Sequence, residues 1–282
     1  MKKIKQILKK FKKVSVTKKA LLAVAVLAAV TTPAVFAVWG PNRPAYDYND
    51  PIGRLGSTTG PVFNSMKNTP TYGDEFNFTT ARKTTDATWS NDLKVKDGDQ
   101  IEIRVLIHNN GNSDLNTNGI SVAKGVKAGI DLPQNQYGIA NEPIGFVNAT
   151  NSAPKEVFDS TKISTADGKR FKIDYTEGST ILTTAGNKGS FGAGKQLSDS
   201  FISKTGTLVG SNAIDGTWYG CYEYYGWVIV KATIIGEPVA EVPNYTIKKF
   251  VNNEDAQNNQ TAVKVEAGKE FEYRVDVTNT GD

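Results

Sequence analysis

The chain holds one histidine, His108, and one cysteine, Cys221, so any Ser-His-Asp or Cys-His arrangement has to use that single imidazole. His108 closes an alternating stretch beside Asn109 and Asn110 and is read as a surface residue at a strand end, not as a general base. Zinc held by several His or Cys side chains lacks ligands. Asp114-x-Asn116-x-Asn118-Gly119 copies the opening of a calcium loop, but its twelfth position is Gly125, where a bidentate Glu belongs. That stretch is read as a polar turn, with a weak Ca2+ site at Asp114, Asn116 and Asn118 as the alternative; no other cofactor is expected. The run from Gly189 to Gly194-Lys195 has phosphate-loop spacing, yet Gln196 stands where a magnesium-binding hydroxyl is needed and no apolar helix follows. It is read as a flexible Gly-rich loop.

The densest aromatic cluster is Trp218, Tyr219, Tyr222, Tyr224, Tyr225 and Trp227. Such rings stack on sugars or bases, and they also serve as ordinary strand packing. Parity puts Tyr222 and Tyr224 with the core residues and Tyr225 and Trp227 on the opposite face. Tyr225 and Trp227, with Trp218 of the same cluster, are the candidate ligand-binding residues, and no residue is assigned a catalytic role. No motif places two carboxylates together for glycoside hydrolysis.

These side chains need a scaffold, and the scaffold repeats. Residues 94–112, KVKDGDQIEIRVLIHNNGN, recur as residues 264–282, KVEAGKEFEYRVDVTNTGD, with eight of nineteen positions identical. Side chains in a strand alternate between faces. Ile101, Ile103, Val105 and Ile107 fall on one face; Glu102, Arg104 and His108 fall on the other, with Leu106 as the exception. In the second copy Phe271, Tyr273, Val275 and Val277 take the buried parity. Each copy reads as a half-buried antiparallel strand entered by a Gly turn and ended by an Asn-x-Gly turn. Glu102 and Arg104 suit a same-face ion pair, worth little at a surface.

Further short alternating runs follow: Phe76 and Phe78; Ile120 to Leu132 with Gly125 as a bulge; Ile144 and Phe146; Phe171, Ile173 and Tyr175; and a last long strand over 222–235 with Val228, Val230, Ala232 and Ile234 on one face. No segment after Trp39 keeps a helical period. The prediction is an all-β, Ig-like antiparallel β-sandwich after an N-terminal export or membrane helix, with a partial second Ig-like module.

The spacing of Val, Gly, aromatic or aliphatic residues and the closing Asn-x-Gly in the two copies resembles the bacterial surface-protein repeat family known as domain of unknown function 11. That resemblance implies Ig-like sandwich modules in series on a cell surface, and no catalytic residues. It is closer over 244–282, about the first third of such a module. The segments FNSMKNTPTYGDEFNF and GCYEYYGWVIVK resemble exported modules of small-genome, host-dependent bacteria. Surface sandwiches of Gram-positive type often carry a Lys–Asn isopeptide bond beside a buried acid; the outward parity of Glu102 and Glu272 argues against either as that acid.

Residues 1–19 carry nine lysines and no acid, and 20–39 carry no charge. A basic region, an apolar stretch and Val35-Phe36-Ala37 describe an export signal cleaved after Ala37, with an uncleaved membrane anchor as the alternative. Of 33 basic residues nine lie in this segment, so the remainder has 24 against 29 acids, a balance of −5. The apparent basicity is the targeting segment, which removes the argument for nucleic-acid binding. One cysteine permits no internal disulfide, and Cys221 is read as a buried free thiol. The expected organisation is a signal or anchor over 1–37, an extended lead-in over 38–61, a sandwich domain over 62–236, a Pro-containing linker over 237–243 and a truncated repeat over 244–282. The expected partner is a glycan or protein of a cell envelope or host surface, with membrane contact through the N-terminus if it is uncleaved.

Overall fold

The computed structural model describes residues 40–238, 244–251, 254–255, 267–270 and 272–280. Residues 1–37, expected to be an export signal or membrane anchor, lie outside the described residues. The chain divides into two compact units, Met1–Glu237 and Pro238–Asp282.

The first unit is all-β. Its strands are β1 (Tyr46–Asp47), β2 (Met66–Lys67), β3 (Thr79–Lys83), β4 (Asp92–Val95), β5 (Gln100–Ile107), β6 (Lys127–Asp131), β7 (Ala140–Asn141), β8 (Ile144–Asn148), β9 (Glu156–Ser160), β10 (Lys162–Thr165), β11 (Phe171–Tyr175), β12 (Ile181–Thr184), β13 (Lys195–Gln196), β14 (Thr207–Leu208) and β15 (Gly226–Gly236). One sheet runs β13-β12-β15-β5-β3, with β11 also pairing β15; a second runs β14-β6-β8-β9. All pairs in both are antiparallel. Among the described residues no helix is long and apolar enough to cross a membrane.

The first copy of the repeated stretch supplies β5, an inner strand of the larger sheet between β15 and β3. Gly98 takes φ +81°, a left-handed conformation that costs glycine nothing, and turns the chain into β5. Ile101, Ile103, Val105 and Ile107 are fully buried, as the alternation requires, and Val105 lies between Val228 of β15 and Thr79 of β3. The two sheets meet face to face here as a sandwich. Gly145 of β8 sits so close to the opposite sheet that a Cβ there would lie 2.3 Å from Thr79 Oγ1 and 2.8 Å from Val105 Cγ2. Asp159 of β9 accepts a hydrogen bond from the Thr79 N–H at 2.8 Å, tying the two sheets together.

On the outer face, Glu102 pairs with Arg82 on the neighbouring strand at 2.7 Å rather than with Arg104. The register sets Arg82 directly opposite Glu102, whereas Arg104 swings over the rings of Trp89 and Tyr72, at 4.3 and 4.6 Å. A desolvated cation over aromatic faces gains more than an exposed ion pair.

Several expected boundaries move. The last long strand starts at Gly226, because residues 222–224 form a 3-10 turn. Phe76 and Phe78 precede β3 instead of forming a strand of their own. Ile120 is exposed, and of its run only the part from Lys127 is strand; Gly125 at φ +60° turns the chain into it. The stretch read as an extended lead-in is packed: β1 pairs β2, and Ser57 bridges to Gly111. Asn109-Asn110-Gly111 is no solvent turn. None of the three has a positive φ, and Asn109 bridges Phe63 while Gly111 bridges Ser57.

In the second unit β16 (Tyr245–Val251) pairs with β17 (Glu254–Asp255) and with β18 (Tyr273–Asn279), both antiparallel. Gly268 takes φ +82°, matching Gly98. The parity expected to be buried is not: Tyr273 is 58 %, Val275 44 % and Val277 65 % exposed. Among the described residues of the unit, the three strands give that face nothing to pack on. Phe271 and the Asn279-x-Gly281 end fall partly outside the described residues.

Candidate functional site

The first unit has a cleft of ≈ 200 Å³ at the end of β5. Four segments build it: the 46–56 stretch supplies Tyr48, Arg54 and Leu55, β2 supplies Met66, the end of β5 supplies His108 and Asn110, and the turn after Gly220 supplies Cys221 and Tyr222.

His108 is the first correction to the sequence reading. It is 1 % exposed, not a surface residue. Its outward parity points it away from the sandwich core, but the segment between β2 and β3 folds back over that end of the sheet. Phe78 O accepts from Leu106 N–H at 3.0 Å, and Tyr72 Oη donates to the same carbonyl at 3.0 Å. Leu106, the residue that breaks the alternation, is buried for the same reason.

Behind His108 is a closed polar network. Its Nδ1 lies 2.6 Å from Glu75 Oε1, both side chains 2 % exposed. Glu75 Oε2 accepts from Asn110 Nδ2 at 3.0 Å and from the Met66 N–H at 3.1 Å. Asn110 Oδ1 accepts from the Ser65 N–H at 2.6 Å. Asn64, at φ +49°, accepts the His108 N–H through its Oδ1 and donates to Leu106 O. Three hydrogen bonds thus reach the two buried Glu75 oxygens, as a buried polar group requires. The network fixes the imidazole and leaves Nε2, on the opposite edge of the ring, without a partner among the described residues.

Aromatic rings form the rest of the wall. Tyr222 meets His108 edge-on at 5.5 Å and stacks on Tyr225 at 4.6 Å; Tyr48 lies 6.0 Å from Tyr222. Burial raises the Tyr222 phenol above its ordinary value, with the Thr71 hydroxyl acting the other way. Cys221 adopts φ 95°, ψ 157°, a region almost reserved for glycine, while its N–H is held by Asn109 O at 2.9 Å. Such strain costs of order 1–3 kcal/mol and persists only where the surroundings enforce it. Cys221 is half-buried, not the buried thiol expected. No hydrogen bond joins its sulfur to His108 among the described residues, so the pair is not arranged as nucleophile and base.

The expected ligand-binding residues are not gathered on one exposed platform. Trp218 is 0 % exposed and cannot stack on a ligand, because it belongs to the core beneath the Ala123 bridge. Tyr225 is 8 % exposed, covered by Tyr222. Trp227 is half-buried, 5.9 Å from Tyr225. In the calcium-like stretch, the Asn116 amide is spent on both the N–H and the carbonyl of Gly220, each at 2.9 Å, and Asn118 Oδ1 accepts from the Ile120 N–H. Asp114 lies within a short 3-10 turn, Ser113–Leu115, capped by Asn112. Among the described residues no three His, Cys, Asp or Glu side chains converge as metal ligands. The Gly-rich run ends in the short strand β13, not in a helix whose N-terminus would hold a phosphate.

Sequence reasoning missed Glu75, Tyr48 and Arg54. One signal was available: Leu106 and His108 follow each other on the outward parity, and an apolar residue there means that face is covered. Compared with protein-family models, with curated proteins and with solved structures, the chain matches none.

Proposed function

We propose that this is an exported, surface-exposed, non-catalytic β-sandwich protein, acting as a stalk or attachment module. The observation that supports the reading is the recurrence, in each compact unit, of a left-handed glycine turn leading into a strand of one sequence pattern. Gly98 and Gly268 take the same left-handed turn, at φ +81° and +82°, and each precedes a strand of the same sequence pattern. Serial β modules hold a contact surface away from a membrane, and the lysine-rich, then uncharged, N-terminus supplies export. The resemblance to the domain of unknown function 11 repeats points the same way. Displaying the full chain on a bacterial host tests the proposal: displaying cells should adhere to host-cell or envelope-coated surfaces above an empty-display control. Turnover of peptidoglycan or a glycan by the purified chain, lost on replacing one carboxylate, would refute it.

The second reading is a carbohydrate-binding module. The aromatic cleft favours it, with Tyr222 and Tyr48 in place of Trp218 as the ring walls. The third, a glycan hydrolase, draws less support, since no carboxylate lines the cleft and Glu75 lies behind His108.

A further inference from the structure

The cleft at the end of β5 combines features that a plain structural joint does not require. A buried imidazole is held through its Nδ1 by the Glu75 carboxylate, with its second nitrogen unpartnered at a cavity wall. Two tyrosine rings, Tyr48 and Tyr222, line the cleft side by side, 6.0 Å apart. At the rim, Arg54 is exposed, packs 5.5 Å over the Tyr48 ring and makes no ion pair among the described residues. The strained backbone of Cys221 closes the wall opposite.

Each feature constrains an occupant. At ≈ 200 Å³ the cleft is below the usual range for drug-sized ligands, so it admits one ring and not a nucleotide or an oligomer. Flat aromatic walls suit the C–H face of a sugar. An apolar filler would leave the His108 nitrogen buried without a partner, which is costly, whereas a hydroxyl satisfies it. A free guanidinium at the mouth selects a carboxylate, which it can hold through two parallel hydrogen bonds.

We propose that this cleft binds a single carboxylate-bearing sugar residue, of the uronic or sialic acid kind, with Arg54 on the carboxylate, the adjoining Tyr48 and Tyr222 rings against the sugar and His108 Nε2 on a hydroxyl. The proposal rests on the carbohydrate-binding reading of the attachment module and names its ligand class. Glycan-rich envelopes and host surfaces both carry such residues, so one site accounts for binding to either.

The test uses the full chain in mild detergent, with methyl glucuronide, N-acetylneuraminic acid and methyl glucoside as probes. The glucuronide and glucoside differ only in carboxylate against hydroxymethyl. Saturation-transfer NMR and titration calorimetry should show at least one acid sugar binding tenfold or more tighter than the glucoside. Arg54→Ala should erase that preference, and Tyr222→Ala should abolish binding. Arg54 is exposed, so its variant keeps the fold, checked by near-UV circular dichroism. Absence of binding by both acid sugars, equal affinity for glucuronide and glucoside, an unchanged preference in Arg54→Ala, or binding only of an acidic peptide such as polyglutamate would each overturn the proposal. The two readings separate cleanly: adhesion of displaying cells without acid-sugar binding removes the cleft assignment and leaves attachment. Acid-sugar binding without adhesion does the reverse.

Discussion

Asp159 is the group whose titration should be written most plainly in the stability of this protein. It is 1 % exposed between the two sheets, where its Oδ2 accepts the Thr79 N–H and its Oδ1 has no hydrogen-bond partner. Burial pushes its carboxyl from 3.8 up to about 7, against the pull of the Thr79, Ser160 and Phe78 amides and the Arg43 charge. Arg43 is itself lowered to about 10 by burial, its guanidinium held by the Asn64 and Gly40 carbonyls.

Between pH 3.8 and about 7 the folded chain holds a proton at Asp159 that the unfolded chain has released. The folded pKa is the raised one, so this stabilising contribution is complete below 3.8 and is lost as pH rises through 7. At about 1.4 kcal/mol per pH unit the whole span has a ceiling of about 4 kcal/mol, of which roughly 2–3 kcal/mol falls between pH 5 and 8. Asp159→Asn keeps an acceptor for Thr79 and removes the titration. Urea unfolding of both proteins from pH 5 to 8 gives a difference curve in which other carboxylates cancel. The wild type should lose about 2–3 kcal/mol relative to the variant as pH rises across that window. A flat difference, or a wild type that gains on the variant, would refute the assignment of a protonated inter-sheet acid.

Three other perturbations probe separate parts of the first unit. Gly145→Ala drives a methyl into Thr79 Oγ1 and Val105 Cγ2 at the sheet-to-sheet contact, so chemical denaturation should show a loss of about 1–3 kcal/mol. Cys221→Gly releases the backbone strain at φ 95° while Cys221→Ala does not, so the Gly variant should be more stable than the Ala variant by roughly 1 kcal/mol in parallel thermal melts; equal melting would mean that position is relaxed. Glu75→Ala strips the carboxylate from His108, Asn110 and the Met66 N–H, leaving buried donors unpaired at a cost of about 1–3 kcal/mol, and Glu75→Gln should recover part of it.

The contrast between the two copies of the repeated stretch explains what a linear reading can supply. Alternation at 101–107 locates β5 and its buried side because both are local: parity is a property of consecutive residues. The same parity at 273–277 gives the strand but not its burial, because burial needs a second layer, and among the described residues of their unit Tyr273, Val275 and Val277 have none. Gly98 and Gly268 were legible as turns since only their own backbone is involved.

The cleft required contacts that no local pattern encodes. His108 and Glu75 are 33 residues apart, and Arg54 and Tyr222 come from opposite ends of the first unit. Glu75 carried no mark in the sequence, and Tyr225 was taken for an accessible ring because parity was carried through a 3-10 turn where it does not hold. What did point to the site was a conflict at one position, Leu106 where a polar residue was due. In a half-buried strand the residue that breaks the period marks where something else lies across the sheet. Here that cover is the segment that brings Glu75 to His108 and, with Asn110, fixes the imidazole against the cleft. The break in the pattern and the polar network are therefore one event, and a Leu106→Thr substitution should loosen both. Leu106 is 1 % exposed, so the change should cost about 2 kcal/mol or more in unfolding experiments. It should also speed amide exchange at His108, whose N–H is held by Asn64 Oδ1. Destabilisation with exchange at His108 unchanged would show that the cover does not depend on this side chain.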